Sequence, residues 1–201
     1  MRTLKLFRRW FLATCLILAA PFPAWADDDA AAFIANLGEQ GIAVMRAQET
    51  QEARREEFQK LFSASFDVPA VGKFVLGRHW RVATPEQQAQ YLNLFERYVI
   101  IIYSERFDGY EGEQFQVRGE SPGDHGEITV NSEVIRPGGG QPVRIDWRVE
   151  KTNGVFKITD VMVEGVSMAQ TQRQEFSSVI MQNGGKVQAL LDILAKKVAG
   201  L

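Results

Sequence analysis

The sequence is poor in the residues that carry metal and thiol chemistry. It has one cysteine, Cys15, and two histidines, His79 and His125, in 201 residues. Cys15 lies in an N-terminal segment that we expect to be removed, so the mature chain would have no disulfide framework, no thiolate metal site and no cysteine nucleophile. The two histidines have no Cys partner and no H-x-x-x-H spacing. This pattern argues against a zinc site.

Positive charge and long apolar runs are also scarce beyond the N-terminus. The whole sequence has 23 Lys and Arg against 25 Asp and Glu. Residues 1–26 hold four of the basic residues and no acids, which leaves 19 against 25, a net charge of about −6, for residues 27–201. Such a chain has no basic footprint for nucleic acid and no polybasic segment for anionic lipid headgroups. No later run is long and apolar enough to span a bilayer, so we expect a protein that is not embedded in a membrane.

The first 26 residues have the pattern of a secretory signal peptide. Four basic residues precede an apolar run from Trp10 to Ala20, and Ala24 and Ala26 form an A-x-A cleavage site. The apolar run is too short for a transmembrane helix. We therefore predict cleavage after Ala26, a single mature domain over residues 27–201, and export out of the cytoplasm.

The export route stays open between the general secretory pathway and the twin-arginine pathway. Arg8-Arg9-Trp10-Phe11-Leu12 resembles a twin-arginine signal, but Phe7 stands where Ser or Thr is usual. A lipid anchor on Cys15 is not expected, because Thr14 is a poor residue before a modified cysteine and most of the apolar run follows it.

The mature sequence predicts helices, then strands, then helices. Apolar residues recur at helical spacing in six segments, 29–46, 52–65, 67–76, 84–107, 167–181 and 187–198. From about residue 113 to Val163, apolar and polar residues alternate instead, which predicts antiparallel strands with one wet face. Pro137–Gly140 and Asn153-Gly154 predict hairpin turns between strands. This order indicates an α+β fold with helices packed on one face of the sheet.

Gly165-Val166-Ser167-Met168-Ala169 partly resembles the nucleophile elbow of a hydrolase. Ala169 replaces the second glycine, and no histidine follows Ser167, although a hydrolase of that type needs one further along the chain. Ser167 and Gln170 fit a capping box at a helix N-terminus better. Thr84 and Gln87, with Pro85 at the first helical position, predict the start of the long helix in the same way.

An acid–base enzyme of the ketosteroid-isomerase-like type is an alternative from a different class. Asp146 and Asp160 lie on predicted strands, and Tyr98 and Tyr103 lie on the long helix. Asp146 alternates with the apolar face, so we expect its carboxylate to point to water between two arginines and to make a poor buried base. Composition alone does not separate a filled core from a cavity, so the alternative stays open.

Three blocks of sequence resemble the MlaC family of periplasmic lipid-binding proteins, also called toluene-tolerance auxiliary proteins, which includes a hopanoid-associated branch. The first contains Leu76-Gly77-Arg78-His79-Trp80 and Ala83-Thr84-Pro85-Glu86-Gln87, and it leads into the long helix with Phe95 and Tyr98. The second is Pro142–Trp147, and the third is Asp160–Met168 with its EGVSM segment. The resemblance extends in order over essentially the whole mature chain.

This resemblance implies an NTF2-like fold, whose twisted antiparallel sheet and helices enclose an apolar pocket for phospholipid acyl chains. It implies a non-enzymatic, monomeric carrier with phospholipid as cargo and with no cofactor or metal. Such a carrier passes lipid between an outer-membrane lipoprotein complex and an inner-membrane ABC transporter with an MCE-domain ring. Two alternatives remain: an enzyme that uses the same pocket on an apolar substrate, and a scaffold that bridges envelope complexes without binding lipid.

The predicted lipid-binding residues come from two sources. The resemblance assigns Val166 and Met168 of the EGVSM segment to the pocket. Periodicity assigns four residues of the sheet and three of the helices, namely Val134, Ile145, Trp147, Val163, Phe74, Tyr98 and Ile102. Neither source distinguishes a glycerophospholipid from a lysolipid or a hopanoid, and neither gives the number of acyl chains or the direction of transport.

Overall fold

The structure is a computed structural model that describes residues 29–47, 50–104 and 110–200. The predicted signal peptide and the predicted last turn of the long helix lie outside these ranges. Among the helices that the structure describes, none is both long enough and apolar enough to cross a membrane.

The described residues form six α-helices and five strands in the predicted order. The helices are α1 (Ala30–Arg46), α2 (Gln51–Ser65), α3 (Val68–Leu76), α4 (Pro85–Ser104), α5 (Met168–Gln182) and α6 (Val187–Ala199). The strands are β1 (Gln114–Pro122), β2 (Ile128–Ile135), β3 (Val143–Thr152), β4 (Val155–Val163) and β5 (Val166–Ser167). The α+β prediction is confirmed.

Side-chain caps fix the two helix starts that the sequence predicts. The backbone N–H of Gln87 donates to Thr84 Oγ1 at 3.3 Å, and Gln87 Oε1 accepts from the backbone N–H of Thr84 at 3.2 Å. At α5, the backbone N–H of Gln170 donates to Ser167 Oγ at 3.0 Å. Each cap satisfies backbone groups that the first helical turn leaves unpaired, a contribution of about 1 kcal/mol.

The sheet is an antiparallel meander in the order β1-β2-β3-β4-β5. Asn153-Gly154 forms a two-residue hairpin loop with φ values of 53° and 80°, as its sequence predicts. Glu164-Gly165 forms a second such loop, with φ values of 51° and 78°. The sequence does not predict this second turn, because glutamate seldom adopts a positive φ. The turn sends the short strand β5 directly into α5.

The apolar side chains form two separate clusters. One lies among the helices and includes Tyr91, Phe95 and Phe176, with Leu190 and Leu194 of α6. The other lies between α1 and the sheet and contains buried residues from both, namely Ile34, Val130, Val149, Phe156 and Ile158. The partly buried Phe66, which follows α2, packs against both clusters.

A buried histidine connects α3 to α5. His79 lies in the 3-10 turn Gly77–Arg81 that follows α3, and its Nε2 is 3.5 Å from Ser177 Oγ on α5. Burial, with a smaller contribution from the Arg78 charge, lowers the pKa of His79 from its ordinary value of 6.5. The folded protein therefore resists protonation of this ring more than the unfolded chain does.

We expect part of the acid sensitivity of the fold to come from His79. Above pH 6.5 the ring is neutral in both the folded and the unfolded protein, and its stabilising contribution is complete. As the pH falls from 6.5 to the lower pKa of the folded state, the unfolded chain binds the proton first, and this contribution is lost. In His79→Phe, which cannot titrate, the free energy of unfolding should fall less over this interval. Urea unfolding from about pH 5 to about pH 8 measures the slope. Equal slopes for the two proteins would show that His79 makes no such contribution.

Candidate functional site

An apolar cavity of about 410 Å³ lies between the sheet and helices α1 to α5. Its volume is in the range of small-ligand sites, about 300–1,000 Å³. Of the 28 lining residues, 21 are apolar or glycine, and none is Lys or Arg. Many of the lining side chains keep partial solvent exposure, so the cavity communicates with the outside. A site of this composition accepts the hydrocarbon part of a ligand.

The first two helices form one wall of the cavity. Five residues of α1 contribute at positions that repeat along one helix face, namely Leu37, Gly38, Gly41, Ile42 and Met45. On α2 the lining residues are Phe58, Leu61 and Phe62. The sequence marks both faces as apolar, but periodicity does not show whether an apolar face meets other side chains or an open space. The two glycines inside α1 are the signal that could have identified this wall.

The opposite wall comes from the sheet, and Trp147 is its largest side chain. Its indole Nε1–H donates to Ser132 Oγ at 2.9 Å, and that hydroxyl donates to the Ile145 carbonyl at 2.8 Å. The ring packs edge-on against Phe115, with 6.1 Å between the centroids. Because the polar N–H is satisfied within the sheet, the remainder of the indole presents an apolar surface to the cavity.

Three of the seven polar lining residues are near neighbours in the sequence, namely Tyr110, Glu113 and Gln114, and we call them the polar rim. Arg46 Nε donates to the Tyr110 hydroxyl at 3.1 Å, and this hydroxyl donates to the Glu113 carbonyl at 3.1 Å. The backbone N–H of Glu111 donates to the Glu113 carboxylate at 2.8 Å, and this bond lowers the pKa of Glu113. The rim therefore carries a carboxylate, Glu113, whose ionised form is stabilised by backbone hydrogen bonds.

Asp160 is a buried carboxylate on the wall, and its two oxygens accept three hydrogen bonds. Oδ1 accepts from the backbone N–H groups of Val161 at 2.8 Å and Ala169 at 3.1 Å, and Oδ2 accepts from the Ser167 hydroxyl at 2.6 Å. Ser167 and Ala169 belong to the start of α5. Asp160 thus attaches the first turn of α5 to β4, and these bonds use three of its roughly four lone-pair sites.

The expectation that Asp146 points to water is wrong. Asp146 is only 8 % exposed. Its carboxylate accepts from Asn131 Nδ2 at 2.8 Å and lies 3.4 Å from Arg144 Nε. Asn131 of β2 and Arg144 of β3 lie beside it on the face of the sheet that points away from the cavity, and they cover it. Asp146 is absent from the cavity lining, so it is still no candidate for a base there.

The structure places five of the nine predicted lipid-binding residues in the cavity wall. These are Val134, Ile145, Trp147, Val163 and Met168. The four sheet residues share one face through strand register, in which Ile145 lies opposite Val163 and Val134 opposite Val143. Contact of any of these five with a lipid stays a prediction.

The other four predicted residues do not line the cavity. On α4, Phe95, Val99 and Tyr103 form the lining, whereas Tyr98 and Ile102 pack into the helical core. The Tyr98 ring lies 5.9 Å from Phe176 and 5.3 Å from the Lys197 ammonium. This helix is apolar on two faces, and spacing alone did not show which face meets the cavity.

Phe74 and Val166 are on the surface instead. Phe74 is 44 % exposed on α3, with the Arg173 guanidinium 5.0 Å from its ring centroid. Val166 is 54 % exposed on the two-residue edge strand β5. The short hairpin at Glu164-Gly165 places Val166 at the sheet edge and leaves Met168, two residues later, on the wall. The motif-based assignment therefore holds for the position of Met168 and fails for that of Val166.

Known proteins share both the sequence pattern and the fold. A solved structure of a phospholipid-binding protein from Ralstonia solanacearum, in complex with a phospholipid, matches with a TM-score of 0.73 and 25 % identity, over 86 % of this chain and 98 % of that one. The intermembrane phospholipid transport system binding protein MlaC of Haemophilus influenzae is 23 % identical over 116 residues, which are 56 % of this chain and 54 % of that protein.

A third relative is the toluene tolerance protein ttg2D of Pseudomonas putida. It is 23 % identical over 134 residues, which are 66 % of this chain and 62 % of the relative. The aligned parts thus span between about half and two thirds of these two curated relatives. The MlaC protein family model matches residues 36–196, a range that contains every residue of the cavity wall. The chain therefore belongs to the MlaC family.

Proposed function

We propose that this protein is a periplasmic phospholipid carrier, which holds acyl chains in the apolar cavity and leaves the headgroup at the polar rim. It exchanges lipid with an outer-membrane lipoprotein complex and with an inner-membrane ABC transporter. The observation that carries the proposal is the composition of the wall, which is apolar on the faces of α1, α2 and β2 to β4 and has no Lys or Arg. Such a surface favours burial of an acyl chain and disfavours burial of a charged headgroup.

The relatives support both the cargo and the route. The Ralstonia protein is described as a complex with a phospholipid, and its fold matches 86 % of this chain. The Haemophilus relative is named as the binding protein of an intermembrane phospholipid transport system. A carrier between two membranes works in the periplasm, which agrees with the signal peptide that the sequence predicts.

The energetics of such a carrier are constrained by its competitor, the bilayer. Burial of a CH₂ group stabilises by about 0.8 kcal/mol, so two acyl chains gain tens of kcal/mol relative to water in either environment. The free energy of a lipid bound in the cavity therefore has only to be close to its free energy in the bilayer. A partner that changes the balance by a few kcal/mol can then load or unload the protein.

We also propose that the protein has no catalytic step, and Asp160 supports this. It is buried beside the cavity, but its oxygens bind two backbone N–H groups and the Ser167 hydroxyl. A ketosteroid-isomerase-like base needs a carboxylate that is free to take a proton from the substrate. The bound phospholipid is cargo rather than a cofactor.

Native mass spectrometry tests the carrier proposal directly. The mature protein is exported to the periplasm, purified without detergent and measured intact, and its lipids are then extracted. A stoichiometric adduct with the mass of a phospholipid is expected. A clean apo mass, together with no uptake from phospholipid vesicles, would contradict the proposal and would favour the enzyme or the scaffold.

A further inference from the structure

Three glycines lie inside the α-helices of the described chain, where glycine destabilises a helix relative to alanine. For two of them, packing explains why the residue is glycine. A Cβ at Gly38 would overlap the Phe115 ring, and a Cβ at Gly72 would lie 2.7 Å from Leu92 Cδ2 and 3.2 Å from Phe95 Cδ1. At these positions a neighbouring side chain occupies the place of the missing methyl group.

Packing does not explain the glycine at position 41. A Cβ built on it meets no heavy atom of the described residues within 4 Å. Its φ is not positive, so no special backbone conformation requires glycine either. Gly41 lies on the cavity wall, between Gly38 and Ile42 of the same helix face. The position beside its backbone is therefore open cavity space. A glycine at such a position lets a ligand approach the helix backbone closely.

We propose that Gly41 decides how many acyl chains the cavity accepts, an inference that depends on the proposed carrier function. The α1 lining runs from Leu37 to Met45, about 12 Å along the helix axis. Gly41 lies at its middle, so a side chain there enters from the side and narrows the cavity without closing it. Residue 41 thereby selects between diacyl and single-chain phospholipids.

The physical basis is the size of a hydrocarbon chain. A leucine side chain has about the thickness of an acyl chain, and both need carbon–carbon separations of about 3.5–4.0 Å from their neighbours. A leucine at position 41 therefore takes the place of one chain beside α1. We expect the rest of the cavity, which α2 to α5 and the sheet line, to hold a single chain in this variant.

The test uses Gly41→Leu and Gly41→Ala, with Ala43→Leu as the matched control. Ala43 is on the same helix but is exposed to solvent, so its leucine adds hydrocarbon outside the cavity. Each mature protein is freed of lipid and incubated with vesicles of diacyl phosphatidylethanolamine and phosphatidylglycerol, or with lysophosphatidylethanolamine. Native mass spectrometry then measures the fraction of each protein that carries lipid.

Gly41→Leu should take up about tenfold less diacyl lipid than the parent protein, because overpacking of a site is unfavourable by an amount of this order. It should take up lysophosphatidylethanolamine as the parent does, and Ala43→Leu should bind both lipids normally. Lipid-free Gly41→Ala should melt at a higher temperature than the parent, since it gains helix propensity without a clash.

Three results would overturn this assignment. They are normal diacyl uptake by Gly41→Leu, an equal loss of both lipids, or failure of Gly41→Leu to fold, which would mean that the space beside residue 41 is not open. Failure of the carrier proposal itself looks different, because the parent protein and Ala43→Leu would then take up neither lipid.

Discussion

Ile145→Glu should remove nearly all bound phospholipid from the purified protein, whereas Val166→Glu should leave the lipid content unchanged. Ile145 lies on the cavity wall between Ser132 of β2 and Val163 of β4. The wall has no cation to pair with a new carboxylate. An unpaired charge in an apolar site is unfavourable by several kcal/mol, and about 3 kcal/mol corresponds to more than a hundredfold loss of affinity.

Val166→Glu is the matched control because it introduces the same charge outside the cavity. The Val166 side chain is 54 % exposed, so its carboxylate would stay in water. Ile145→Gln separates the effect of charge from that of shape and should lose less lipid than Ile145→Glu. Phospholipid per protein, measured after purification without detergent, gives the comparison, and circular dichroism verifies that each variant folds. Equal lipid content in Ile145→Glu and Val166→Glu would contradict the proposal that this cavity is the lipid site.

Asp160→Ala should lower the free energy of unfolding by about 3 kcal/mol, the second largest effect that we expect. The change leaves the N–H groups of Val161 and Ala169 and the Ser167 hydroxyl without their acceptor. It also removes a negative charge from the N-terminus of α5, where the helix dipole stabilises it. Urea unfolding measures the loss, and hydrogen exchange should show that the first turn of α5 opens more often.

Ser167→Ala is the reference variant, and its loss of unfolding free energy is compared with that of Asp160→Ala. It deletes the N-cap bond to Gln170 and one of the three bonds to Asp160, and a loss of about 1 kcal/mol is typical for a cap. If Asp160→Ala is no more destabilising than Ser167→Ala, the carboxylate does not hold α5 onto β4. Asp160→Asn, which keeps the size of the side chain but not its charge, should lie between the two.

The elements of this fold could be predicted closely because their signals are local. The capping residues Thr84 and Ser167 mark helix starts by hydrogen bonds that span three residues. The alternation from Val143 to Val149 identifies β3 and the face that carries Ile145 and Trp147, since side chains on a strand alternate strictly between two faces. The four sheet residues that periodicity assigns to the pocket accordingly lie on the wall, whereas Val166, which the motif assigns, lies beyond the unpredicted turn.

The helical part of the wall could not be predicted to the same extent. Tyr98 and Val99 are adjacent on α4 and both are buried, yet only Val99 lines the cavity. Asp146 alternates with apolar residues and is nevertheless covered by its neighbours. In each case the environment of the side chain depends on elements that are distant in the sequence.

The sequence by itself determined the order of helices and strands, the antiparallel pairing of the sheet and the family resemblance. These follow from periodicity, capping and turn chemistry, and from motifs that are continuous in the chain. Only the tertiary structure decided that α1, α2 and the sheet leave a cavity between them, and that Gly41 faces its open space while Gly38 is packed against Phe115. The reason is physical: local patterns specify which residues leave water, but whether they meet each other or a void depends on how separately formed layers fit together.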